Sequence, residues 1–389
     1  MPTTERISIL QAMIEKQGLG CALLFYSRDV FYYTGTAQPS YLFVSPQDYF
    51  LYVRSGYDLA RDDVFIDNDR MKEESRLESI CKEISSRVEE KKIGTELDIL
   101  PATQMVKFQK AFPEYEFTNI SPLVLKQRMI KDAEEIMKIR KACEAIDKGH
   151  RVVLSTLQEG VTELELAAAV ENAHRLAGHE GIFFIRQPDF FMSRGPISSG
   201  SNLFKISGVV YTITGVGLSP SVPAGPSQKA ISKGDSVVVD IPTLVQGYHA
   251  DQTRTYILGS DKKRIKLMHD NLKEIADYLI DEIKPGMRCG TIYQMASRKA
   301  EKMGISDTFL SFGKGRRSQL IGHGIGLELN EPPVISKYET CRISQGNVIA
   351  LDMHILKEGV GVVKLEDMIL VNDNNNEILT KSPRQIFEL

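Results

Sequence analysis

Apolar positions change period several times along the chain, and the changes outline its architecture. Residues 5–17 carry apolar side chains at helical spacing, CALLFY (21–26) reads as a buried strand, and YLFVSPQDYFLYV (41–53) as two strands joined at Pro46-Gln47-Asp48. After Asp67 the period is helical again, with Leu77, Ile80, Cys81 and Ile84 on one face. KKIGTEL (91–97) predicts a further strand and 102–111 a short helix. The segment 126–149, KQRMIKDAEEIMKIRKACEAIDKG, is strongly charged, yet Ile136, Ile139, Cys143 and Ile146 keep one apolar stripe. A domain boundary is expected just before it, giving domains 1–126 and 127–389.

The second domain opens with helices. Thr162 and Glu165 form a capping box ahead of the Leu166–Val170 run. A stretch rich in Gly, Ser and Pro follows (192–227), with strand-like VVYTI inside it. From 235 the period is that of strands, SVVVDI and then GYHADQTRTYIL. Asp261 is a candidate cap for a helix over 262–283, ended by Pro285-Gly286, and a second helix runs to Gly304. GNVIALDMHIL and GVGVVKLEDMILV are the strongest β segments of the last third. The fold class expected is α/β (α+β) in two domains.

Composition narrows the function classes. The chain has 389 residues, 42% hydrophobic and 25% charged, which excludes a disordered, collagenous or coiled-coil protein. Its 48 basic and 51 acidic residues leave a formal charge of -3 and no global basic field, so no nucleic-acid partner is expected. No apolar run approaches the roughly 20 residues of a membrane helix, and the N-terminus has no signal-peptide pattern. The five cysteines are widely spaced without a CxxC pair, which argues against a disulfide framework and for a reducing cytoplasm.

Phosphate-binding loops, dinucleotide fingerprints, HExxH and GxSxG are all absent. What remains is a set of acidic residues and one histidine in apolar strands or Gly-rich turns. Asp240 follows three valines; Asp251 lies in ADQTRT; His323 lies in IGHGIGLELNEPP; Asp352 and Glu366 lie mid-strand in VIALDMHIL and VVKLEDMIL. Each alone is compatible with a capping or salt-bridged residue. Four carboxylates and an imidazole converging on one point would need cations, and oxygen-rich ligation suits Mn, Fe, Co or Zn.

The order D-x10-D-x-T-R-T, GHGIGL, a carboxylate strand and an LED strand resembles the creatinase/prolidase/aminopeptidase P family of metallopeptidase-like proteins. QRMIKDAEEIMKIRKA (127 onward) also resembles the helix that opens that family's catalytic domain, so the resemblance spans nearly the whole chain. It implies a small N-terminal creatinase-like domain and a C-terminal pita-bread domain holding two divalent metal ions. Asp240, Asp251, His323, Asp352 and Glu366 fall on its five metal-ligand positions. It also implies a homodimer, and Xaa-Pro peptide hydrolysis by a metal-bridged water with Asp352 or Glu366 accepting the proton. Thr253 and Arg254 would orient the site, with a plain surface ion pair the equal alternative for Arg254.

Three departures from the family pattern bear on that activity. Asp352 stands where Glu is usual, Asn330 where a histidine follows the GHG motif, and Ala224 where a histidine precedes the first Asp. The two missing histidines are those the resemblance assigns to substrate binding and proton transfer. His249 and His354 lie two residues from Asp251 and Asp352, on the same strand faces, and His354 is the candidate replacement catalytic group. Two rival readings stand beside the peptidase: a metal-dependent hydrolase or lyase for a small non-peptide substrate, and a non-catalytic metal-binding protein.

Overall fold

The computed structural model describes residues 3–190, 194–207, 212–259 and 263–389. The chain forms two units, Met1–Arg128 and Met129–Leu389. The first contains helices α1 (Thr3–Lys16), α2 (Ser27–Thr34), α3 (Tyr57–Asp63), α4 (Leu77–Arg87), α5 (Ala102–Ala111) and α6 (Ser121–Arg128). Its strands are β1 (Cys21–Leu24), β2 (Ser40–Val44), β3 (Tyr49–Val53), β4 (Met71–Glu73), β5 (Lys92–Thr95) and β6 (Glu116–Asn119). They form one mixed sheet in the order β4-β3-β2-β1-β5-β6. Ile80 and Ile84 of α4 and Phe108 of α5 bury against Leu23, Phe43 and Tyr52 of the sheet. The sequence pattern does not reveal α2, because its buried positions include Arg28 and Asp29. Asp29 is paired with the buried Arg128 at 2.7 Å, and that pairing makes a charged helical face tolerable inside the unit.

The second unit begins with α7 (Ala133–Thr156) and α8 (Glu163–Leu176). The charged segment expected to be helical from 126 is interrupted, because Asp132 accepts from the Glu135 N–H and caps a new helix there. From that start α7 buries Ile139, Cys143 and Ile146, the apolar stripe read in the sequence. Thr162 and Glu165 form a capping box at α8. Beside it, the buried Glu163 carboxylate accepts from the backbone and hydroxyl of both Ser199 and Ser227, and from Asn202. One side chain thereby ties two loop segments to a helix start.

The remaining elements are β7 (Ile197–Ser199), β8 (Ser236–Asp240), β9 (Thr243–Val245), β10 (Tyr248–Ala250), β11 (Thr253–Ile257), α9 (Lys263–Glu282), α10 (Cys289–Lys302), β12 (Leu320–Gly324), β13 (Glu331–Ser336), β14 (Val348–Lys357), β15 (Gly361–Leu370), β16 (Glu377–Ile378) and β17 (Phe387–Glu388). Among the described residues the main sheet runs β13-β12-β14-β15-β11-β8-β7, with β16 on β15 and β17 on β11. The cap expected at Asp261 and residues 209–211 of the expected VVYTI strand lie outside the described residues.

Strand alternation divides this sheet into two chemically different faces. Leu351, Met353, Ile355, Val363 and Leu365 pack against Ile265, Leu272 and Leu279 of α9. Val237 and Val239 of β8 pack with Val153 of α7 and Val170 of α8. The even-numbered neighbours Asp352, Lys364 and Glu366 therefore project from the opposite face. The helices seal one side, and the chemistry collects on the other.

A buried histidine lies on the helix side. His269 of α9 is fully buried, and neither ring nitrogen has a hydrogen-bond partner among the described residues. Burial lowers its pKa from 6.5 to about 4. Between those values the unfolded chain binds the proton more readily, so stability is complete above pH 6.5 and declines as the pH falls toward 4. The contribution lost at pH 5 is roughly 2 kcal/mol. His269→Leu is expected to shrink the difference in urea unfolding free energy between pH 7 and pH 5 by about that amount. An unchanged difference would exclude this histidine as a source of acid sensitivity.

Candidate metal centre

Register alone assembles most of the site. In the β8–β11–β15–β14 ladder, Asp240 lies opposite Thr253, Thr253 opposite Glu366, and Glu366 opposite Asp352. Directly opposed residues project from the same face, so one row crosses four strands. Lys364 is two residues before Glu366 and joins that face. Asp251 precedes Thr253 by two. His323 lies opposite Ala350, two residues before Asp352 on its strand.

His323 needs the glycines that flank it. A Cβ at Gly322 would come within 2.5 Å of the Ala350 carbonyl oxygen, and one at Gly324 within 2.3 Å of the Pro332 oxygen. Both neighbouring strands approach β12 too closely for any side chain there.

Asp251, His323 and Glu366 each offer one ligand atom, and the three atoms lie within 4.8 Å of one another. His323 Nδ1 is 3.0 Å from the Gly324 carbonyl oxygen. That contact makes Nδ1 the protonated nitrogen and leaves the lone pair on Nε2, 3.7 Å from a Glu366 oxygen. Asp251 Oδ1 and Glu366 Oε1 are buried and lack hydrogen-bond partners among the described residues. Burial, reinforced by Asp240 and Asp352, pushes the Asp251 carboxyl well above the usual range. Burial, then the charges of Asp251 and Asp352, do the same to Glu366. A divalent cation would stabilise both ionised forms, and this donor set fits one. Thr253 Oγ1 donates to Glu366 Oε2 at 2.9 Å, which orients the other oxygen.

Asp240 and Asp352 have a different partner, one that the carboxylate pattern in the sequence does not reveal. The Lys364 ammonium donates to Asp240 Oδ2 and lies 3.2 Å from Asp352 Oδ2 and 3.6 Å from Glu366 Oε2. Burial opposes its charge, but the three carboxylates outweigh burial and hold its pKa well above the usual lysine value. The available signal was a lone lysine in VVKLED, two residues from a ligand candidate and thus on its face.

These groups border a cavity of about 440 Å³ whose walls include Phe190, Leu320, Leu329 and Val334. Asn330 and Arg186 also line it. Ala224 is buried and is not among the lining residues. In the aromatic segment 183–205, residues 191–193 lie outside the described residues.

Neither candidate replacement histidine borders the cavity. His354 directs Nε2 at the Ser311 carbonyl, 3.0 Å away, and its ring lies 4.9 Å from that of Phe312. Burial lowers its pKa to about 4. His354 shares a strand face with Asp352, and its Nε2 is directed at the backbone and not at the cavity. His249 Nε2 accepts the Phe184 N–H at 3.0 Å, and Nδ1 faces the Gly326 oxygen at 3.0 Å. It bridges two segments. Arg254 is buried, donating to the Glu366 carbonyl and to Asp367 Oδ1 at 2.6 Å, so it is no surface ion pair.

Residues 137–373 match the sequence profile of metallopeptidase family M24, and residues 6–130 that of the creatinase/prolidase N-terminal domain. The chain is 26% identical over 387 residues to the Xaa-Pro dipeptidase of Pyrococcus horikoshii, covering 98% of this chain and 99% of the relative. It is 27% identical over 387 residues to the Xaa-Pro dipeptidase of Pyrococcus furiosus, with the same coverage. Among solved structures, the prolidase from Pyrococcus horikoshii superposes with a TM-score of 0.80 at 26% identity, covering 98% of this chain and 99% of that one. An Xaa-Pro dipeptidase from Bacillus anthracis gives 0.84 over 100% of both chains at 23% identity, a likeness of fold.

If Thr253 orients Glu366 toward a cation, Thr253→Val should weaken divalent-ion binding by about 10- to 100-fold. Thr253→Ser should restore it. Calorimetric titration of the metal-stripped protein reads both, and equal affinity in the valine variant would exclude the orienting role.

Proposed function

Because the chain belongs to metallopeptidase family M24 and is a hydrolase of that family, we propose that it cleaves the amide bond of small Xaa-Pro peptides with a divalent cation. The observation that carries this reading is the convergence of Asp251, His323 and Glu366, with Asp352 beside them, on an apolar-walled cavity. The ions compatible with these donors are Mn, Fe, Co and Zn. A bound cation there supplies a Lewis acid for the carbonyl and lowers the pKa of water.

The chain's own groups do the remaining work. Asp352 Oδ2 faces Lys364, and Oδ1, which the Thr212 hydroxyl reaches at 3.5 Å, would take a proton from the attacking water and return it to the departing amine. The apolar wall of Phe190, Leu329 and Val334 suits a prolyl ring and excludes bulk water. Arg186, whose guanidinium is 3.8 Å from Glu328, can receive the peptide's terminal carboxylate. The five free cysteines agree with a cytoplasmic location, and the homodimer implied by the family resemblance completes the proposal.

One observation favours a second reading. Asn330 and Ala224 stand where proton-transferring histidines are expected, and neither His249 nor His354 borders the cavity to replace them. A small non-peptide amide or a lyase substrate would place fewer demands on such groups.

The metal-stripped protein reloaded with Mn²⁺ should hydrolyse Xaa-Pro dipeptides. Asp352→Asn should lower kcat by about 10²- to 10⁴-fold with KM little changed. Arg186→Ala should act chiefly on KM. Cation binding without cleavage of any Xaa-Pro peptide would overturn the peptidase reading in favour of a non-peptide substrate or no turnover.

A further inference from the structure

Resting on the metal-dependent reading above, we infer that the Lys364 ammonium takes the position of a second cation, so that the centre holds one divalent ion, on Asp251, His323 and Glu366. The five-ligand sequence pattern implies two ions; the side-chain geometry divides those ligands differently.

The division follows from which oxygens are already engaged. Lys364 donates to Asp240 Oδ2 and lies 3.2 Å from Asp352 Oδ2. These are the two carboxylates left over when Asp251, His323 and Glu366 are grouped as a donor set. A second divalent ion would have to share these two carboxylates with the ammonium, taking at about 2.0–2.2 Å the oxygens that Lys364 leaves, one of which, Asp352 Oδ1, already lies 3.5 Å from the Thr212 hydroxyl. Two cations on shared carboxylates in a buried site repel strongly, because little water screens them. The orphan atoms point the same way: among the described residues Asp251 Oδ1 and Glu366 Oε1 are unpartnered, whereas Asp240 Oδ2 accepts from Lys364 and Asp352 Oδ1 from Thr212.

Lys364 is also held in place. Thr255 Oγ1 accepts its backbone N–H at 2.9 Å and donates to its carbonyl oxygen at 2.7 Å, and the side chain is 1% exposed. Withdrawing the ammonium would leave Asp240 without its neutralising partner. The replacement changes the chemistry as well. An ammonium offers hydrogen bonds and a single fixed charge, but no vacant coordination position. Its function here is to position Asp240 and Asp352; the cation site proper lies on the other three residues.

Metal stoichiometry tests this without reference to turnover. Metal-stripped wild type, dialysed against Mn²⁺ and assayed by elemental analysis, should bind one equivalent. Its electron paramagnetic resonance spectrum at saturation should be that of an isolated ion. Lys364→Met should bind two equivalents and give an exchange-coupled spectrum, whereas Lys364→Arg should stay at one. Two equivalents in wild type, an exchange-coupled wild-type spectrum, or a Lys364→Met protein that stays at one would each overturn the inference. If Lys364→Met fails to fold, the wild-type stoichiometry and spectrum decide alone. No binding by wild type, matching His323→Ala, would overturn the metallohydrolase reading along with it; two equivalents in wild type would overturn only the present inference.

Discussion

Four carboxylates converge on one face of one sheet, and the second unit has to hold them together against their burial and mutual repulsion. Asp240, Asp251, Asp352 and Glu366 are all nearly inaccessible to water. Such a cluster would protonate or push its strands apart unless positive charge met it within a few ångströms. Lys364 supplies one such charge from within the chain, and the convergent donor set beside it invites another from solution. Hydrophobic burial of the sheet's opposite face against α9 holds the strands in register while this repulsion is balanced.

The helix-facing side of the same strands carries its own electrostatic lock. Arg254 donates to the carbonyls of Thr253 and Glu366 and to Asp367. Asp367 in turn accepts from Thr380 and Arg384. The backbone carrying Glu366 is thus gripped from behind by a guanidinium whose hydrogen bonds go to fixed backbone atoms. A fully bonded buried ion pair of this kind specifies position more than it adds stability. Here it fixes where β11 and β15 meet, which is where Thr253 reaches Glu366.

Much of this was legible in the sequence because charged residues within valine- and leucine-rich strands are conspicuous. The period-two pattern of VIALDMHIL and VVKLEDMIL correctly separates Asp352 and Glu366 from the apolar residues beside them. The capping box of Thr162 and Glu165 was equally plain, since its residues are local. Contacts made over long sequence distances were not legible. His354 is committed to Ser311 and His249 to Phe184 and Gly326, carbonyl and amide partners with no sequence signature. Lys364 was overlooked for a related reason: a lysine in a strand ordinarily reads as a solvent-facing residue, and only the pairing of β15 with its neighbours reveals three carboxylates around it. In the first unit, α2 was hidden because its charged buried residues break the apolar stripe.

The His249 bridge has a consequence for how the pocket can be altered. One imidazole ring joins Phe184 to Gly326, and a second link, from the Leu329 N–H to the Phe184 carbonyl at 2.8 Å, reinforces it. The wall that begins at Ile185 and the wall around Leu329 and Asn330 are therefore two sides of one mechanical piece. Both links end on backbone groups, so an exchanged segment keeps the staple only where its main chain follows the same path. Redesign of either wall has to preserve the backbone course that the histidine clasps.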